Sequence, residues 1–217
     1  MTPDYERAAL LAMETLITNR ITSAPVSSLP ILKRMKGTLV LSFAEMSSIA
    51  EIARDQLVSM CCGNQDAVTI HLTEGKIRYI VAYNQQLPFF IMQRALAREL
   101  GHIVLGHDGT RPEDVREAEA LGFARNLLCP RPLLKAIEES GVPLTVELFG
   151  AITGCYKKCL EGIQQTPGAH IAPEINRLVK NQFADYVKNF IAYADTVKAD
   201  DHSPTVDFGT YFDNYAE

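Results

Sequence analysis

The chain has 217 residues, 47% hydrophobic and 22% charged, with a formal net charge of -5 at pH 7 and a pI near 5.6. That balance describes a globular chain with one good core and at most a small second module. It supplies no basic face for direct nucleic-acid binding. No apolar run reaches the roughly 18 residues of a membrane span, and Met1 to Arg7 lacks the basic, apolar, small-residue order of a signal peptide. The reading is a cytoplasmic protein without a membrane partner.

In chain order, Pro3 to Asn19 places Leu10, Leu11, Met13, Leu16 and Ile17 at helical spacing and predicts an amphipathic helix. Ser23 to Pro30 is a Ser/Pro-rich connection. Gly37 to Phe43 reads as a short strand, and Met46 to Met60 as a helix that stops before a Gly63-Asn64 turn. Ala67 to Leu72 and Ile77 to Asn84 flank Thr73-Glu74-Gly75-Lys76, a hairpin signal. His71, on the first of these strands, reads as a surface or half-buried histidine. The second strand leads through Leu87-Pro88 into a helix carrying Arg98 to His102. A loop at Gly109 to Asp114 precedes another helix, Val115 to Leu128, whose apolar positions Val115, Ala118, Leu121, Gly122, Ala124, Leu127 and Leu128 recur every three to four residues.

Past Pro130 the pattern gives a helix over Pro132 to Ser140, stopped by Gly141-Val142-Pro143, and a segment Thr145 to Ile163 expected to pack on the preceding helices. Ile175 to Val197 is helical, with Ile175, Leu178, Val179, Phe183, Val187, Phe190 and Ile191 on one stripe that serves either as core or as a homodimer seam. Asp200 to Glu217 has acidic and aromatic residues and no Lys or Arg, and reads as a flexible tail. The five cysteines, with Cys61-Cys62 vicinal and Cys155 and Cys159 one turn apart, lack metal or redox spacing and are expected as thiols in a reducing compartment.

The chemistry concentrates at Arg98-Glu99-Leu100-Gly101-His102, an H-E-x-x-H zinc-protease pattern with arginine at the first histidine. In the intact pattern two histidines on one helical face hold Zn²⁺, and the glutamate takes a proton from the metal-bound water. A guanidinium has no lone pair for a metal and would repel a divalent cation. His107, five residues past His102, lies about 140° further round and is a poor substitute ligand unless the helix has ended at Gly106.

The segment Ala97-Arg98-Glu99-Leu100-Gly101-His102-Ile103-Val104-Leu105-Gly106-His107, followed by Glu117-Ala118-Glu119-Ala120-Leu121-Gly122-Phe123-Ala124-Arg125-Asn126-Leu127-Leu128-Cys129-Pro130, resembles the ImmA/IrrE family of metallopeptidases over roughly residues 5 to 165. The resemblance implies Glu99 as general base, His102 and Glu117 as zinc ligands, Arg98 at the degenerate first-ligand position and His107 as a possible accessory. Leu121 stands where that family usually has a polar residue. The expected architecture is α+β. A mostly helical zincin-like domain with a three-stranded sheet occupies 1–165, a C-terminal helical extension 166–198, and the acidic aromatic tail 199–217.

By the same resemblance the partner is a helix-turn-helix transcriptional repressor, and zinc is the cofactor if there is one. Three roles follow: a pseudoprotease that binds the repressor without cutting it, a working zinc peptidase completed by a third ligand that the sequence does not reveal, or a non-catalytic assembly protein. In each, Glu117 leaves a buried helix face and needs a partner. Arg98 is the candidate, within hydrogen-bonding reach of Glu117 or Glu99.

Overall fold

The computed structural model describes residues 1–60, 66–154 and 169–197. The protein is mixed α+β, mostly helical with a small three-stranded sheet. Contacts divide the chain into two compact units, Met1–Pro3 with Ser27–Leu121 and Asp4–Val26 with Gly122–Glu217. The domain boundary expected at 165, the Gly63-Asn64 turn and the tail from 199 lie outside the described residues, as do residues 155–163 of the segment Thr145 to Ile163.

Helix α1, Tyr5–Thr18, belongs to the second unit, and the first is entered at α2, Ser28–Arg34, which the Ser/Pro-rich reading of this stretch did not anticipate. Strand β1, Thr38–Ser42, leads directly into α3, Phe43–Ala50. Ser42 and Glu45 form a capping box, which starts the helix three residues earlier than its apolar pattern suggests. The single helix expected over Met46 to Met60 is two, because Glu51 turns left-handed at φ 55° and α4 resumes at Arg54–Met60.

Strands β2, Ala67–His71, and β3, Tyr79–Tyr83, form the expected antiparallel hairpin, paired from Ala67 with Tyr83 to His71 with Tyr79. Strand β1 joins β3 in parallel, giving the order β1-β3-β2 with β3 central. Helix α5, Phe89–Leu105, packs on β2, β3 and α2, burying Ala95, Leu96, Leu100 and Ile103. Pro88 caps its start, where the missing N–H costs nothing. Gly106 ends it in the left-handed conformation, φ 69° and ψ 41°. Helix α6, Glu113–Leu128, continues from the first unit into the second.

The second unit gathers α1, Tyr5–Thr18, with α7, Arg131–Glu139, α8, Val146–Thr153, α9, Pro173–Gln182, and α10, Ala184–Val197. Helix α9 contacts both α1 and α7, and α10 contacts α7. The Gln182 side-chain amide donates to the carbonyls of Leu16 and Ile21, tying the end of α9 to the end of α1. The stripe that could have been a dimer seam is largely core, with Val179, Phe183, Val187 and Phe190 buried; of its members Leu178 is exposed. The continuous helix expected over Ile175 to Val197 breaks at Phe183, where the buried ring closes α9 before α10 begins.

Candidate functional site

Helix α5 presents Arg98 and His102 on one face, since residues four apart stand one turn above each other. Adjacent in sequence, Glu99 turns inward and is nearly fully buried. The Arg98 guanidinium fills the space before these residues. It donates Nε and Nη2 to Glu99 Oε1 at 3.1 and 2.5 Å, Nη1 to Glu117 Oε2 at 3.2 Å, and Nη2 to the Ala67 carbonyl on β2 at 3.1 Å. The expected contact of Arg98 with Glu117 or Glu99 is thus made with both. Burial works against the guanidinium charge, but Glu99 and Glu117 outweigh it and hold Arg98 above its ordinary value.

His102 approaches the other oxygen of the same carboxylate, Nε2 to Glu117 Oε1 at 3.1 Å. The hydrogen bond from His102, helped by Arg98, holds Glu117 below the usual carboxylate range. Glu117 itself is not buried as the apolar pattern of its helix suggested: its side chain is 38% exposed. Two residues on, about 200° round the helix, Glu119 takes the interior position with no exposure at all. Leu121, counted with the apolar stripe, faces outward.

The left-handed turn at Gly106 meets the condition under which His107 can return to the site. His107 N–H bonds the His102 carbonyl at 3.0 Å, and the two Nδ1 atoms stand 2.9 Å apart. His107 Nε2 then reaches Glu119 Oε2 at 3.0 Å, while Arg111 Nη1 donates to both Glu119 oxygens at 2.6 Å. Burial pushes the His107 imidazole below its ordinary value, against the pull of the Glu119 hydrogen bond.

A continuous chain of polar contacts therefore runs from Glu99 through Arg98, Glu117, His102, His107 and Glu119 to Arg111. The contacts Glu117–His102, His102–His107 and His107–Glu119 use both nitrogens of each ring, so each imidazole is held at two points.

Arg98, Glu99, His102 and His107 border a cleft of about 580 Å³ whose walls include Val68, Thr69, Ile70 and His71 of β2 together with Arg116 and Glu117 of α6. His71 is exposed, as read from the sequence, and stacks on Tyr79 with ring centroids 5.0 Å apart. The hydroxyl of Thr69 is buried without a hydrogen-bond partner among the described residues.

The zinc implied by the motif can be tested against this geometry. His102 Nε2 and Glu117 Oε1 are 3.1 Å apart, close to the roughly 3.3 Å that separates tetrahedral ligands held 2.0–2.1 Å from zinc. The other nitrogen of His102 is held by a ring backed by a buried carboxylate, the support a ligating histidine normally has. Position 98 does not fit, because its cation already lies between Glu99 and Glu117. No group of three His, Cys, Asp or Glu side chains among the described residues is placed to hold a metal ion.

Glu119 and Arg111 were missed in the sequence. The signal for Glu119 was the spacing Glu117-Ala118-Glu119, since carboxylates two apart on a helix cannot share a face. Arg111 left no comparable signal. No helix among the described residues is long and apolar enough to cross a membrane. Set against family models, curated proteins and solved structures, the chain matches none of them.

Proposed function

We propose that the chain is a zincin-like pseudoprotease of ImmA/IrrE type, which binds a helix-turn-helix repressor in the cleft between β2 and α6 and does not cut it. One observation supports the reading: His102 and Glu117 stand 3.1 Å apart with His107 and Glu119 behind them, while Arg98 puts a permanent positive charge where the resembled motif has its first ligand. A charge of that kind supplies neither a Lewis acid nor a bound hydroxide. What survives is a binding surface.

The surface suits an extended peptide. Strand β2 pairs only with β3 among the described strands, and four consecutive residues of it line the cleft. An edge strand beside a groove takes up a partner strand through its backbone, and the wall side chains select among partners. Val68 and Ile70 offer apolar contacts, His71 and Tyr79 an aromatic platform, and Arg116 and Glu117 one charge of each sign.

The test is binding and cleavage measured together on purified full-length protein with a helix-turn-helix repressor encoded beside it. The expected result is a complex from which the repressor is recovered at intact mass, with and without added zinc. His71→Glu and Arg116→Glu, on opposite walls, should each weaken binding by about tenfold, the loss of roughly 1.4 kcal/mol of interface contact. Zinc-dependent cleavage by the unmodified chain would establish the working peptidase instead. Failure of both wall variants to affect binding would place the partner elsewhere.

A further inference from the structure

We infer that Arg98 is itself the cation that crosslinks β2, α5 and α6, so that the protein does structurally with a side chain what a divalent ion would do, and that a zinc site lies one substitution away. The inference rests on the pseudoprotease reading above and deepens it.

The guanidinium meets oxygen atoms from three separate elements: Glu99 on its own helix, Glu117 on α6 and the backbone carbonyl of Ala67 on β2. Several oxygens from separate elements gathered around one cation is the arrangement by which a bound metal fixes a fold. Arginine can do this because its donors spread over a planar fork, each aimed at a different acceptor. Lysine offers one compact ammonium and cannot span the same acceptors at once.

The remainder of the cluster explains why a metal could return. His102 Nε2 and Glu117 Oε1 already stand at a separation suited to a shared ion, and position 98 lies one turn before His102 on the same face. The Nδ1 of His102 is held by His107, and His107 by Glu119, so neither contact depends on position 98.

The experiment is thermal unfolding of the full chain as wild type, R98K, R98M and R98H, each in excess chelator and in excess zinc, with zinc titration calorimetry on wild type and R98H. Wild type should unfold at the same temperature in both buffers and show no stoichiometric heat of zinc binding. R98M should unfold about 6 °C lower or more in either buffer, because buried Glu99 loses its cation. R98K should fall between the two. R98H should match R98M in chelator, bind one zinc per chain, and gain about 5 °C or more at hundredfold excess over its dissociation constant.

A wild-type midpoint that drops in chelator overturns the inference, as does an R98M midpoint within about 1 °C of wild type. An R98H chain that takes up no zinc overturns the latent site. Should R98H not fold without metal, R98K and the two wild-type buffers still decide whether the arginine is the crosslink. Repressor binding is not read in any arm, so these failures are distinct from failure of the cleft to bind a partner.

Discussion

The polar chain has two ends that use the same residue types for different ends. At the cleft, Glu117 is 38% exposed and shares its charge between Arg98 and His102. In the interior, Glu119 is fully enclosed and shares its charge between His107 and Arg111. Solvent decides what each pair is worth. Partly exposed pairs gain little because water screens them, whereas breaking an enclosed pair strands a charge that has no water to turn to. The Glu119 pair is therefore fixed in the interior, whereas at the cleft Arg98 keeps its hold on buried Glu99 and only Glu117 is left to be shaped by binding.

The sharpest way to break that contrast is to remove each carboxylate in turn. Glu119→Ala should destabilise the protein by about 4 kcal/mol, leaving His107 without its buried acceptor and opening a cavity. Chemical denaturation with an unchanged slope would measure it, and a loss under about 1 kcal/mol would mean the interior end is wet.

Gly106→Ala comes next, at roughly 1 kcal/mol, from the left-handed backbone at φ 69° alone, since a Cβ there meets no atom within 4 Å. Because the same turn returns His107 to His102, the variant should also alter the imidazole resonances of both rings in NMR spectra. Unchanged rings would show that the turn does not position them.

Glu117→Gln should have the smallest effect on folding, about 1 kcal/mol or less, since Arg98 keeps Glu99 and the Ala67 carbonyl. A loss matching that of Glu119→Ala would erase the contrast between the two ends.

Acid separates the ends by pH. His107 is depressed below its ordinary 6.5, so folded protein binds fewer protons than unfolded protein in the interval beneath that value, and stability falls as pH drops through it. Glu117 is depressed below 4.5, so its contribution is present above that pH and is lost as pH falls further. Denaturation midpoints followed from pH 7 to 3 should decline in both windows, and Glu117→Gln should flatten only the lower one. A decline confined to the lower window would show that the interior histidine is not held neutral.

Much of this arrangement is legible in the amino-acid sequence. The β2–β3 hairpin follows from alternating apolar residues around Thr73 to Lys76, and the Arg98–Glu117 contact from the resemblance that assigns both positions to one site. Local backbone events were not. The left-handed Glu51 that splits α3 from α4, and the Phe183 break between α9 and α10, are set by tertiary packing that periodicity does not register. The exchange of roles between Glu117 and Glu119 escaped because an apolar count ranks a helix face, not the angle of one carboxylate within it. His107 hung on a single glycine, whose conformation decided whether it faced away or returned.

Whether Arg98 excludes zinc is read most directly from the native mass of the 217-residue chain purified from zinc-supplemented medium without chelator. With Arg98 already between Glu99 and Glu117, the protein should show the mass of the bare polypeptide. A species heavier by one zinc per chain would contradict this and restore the peptidase reading.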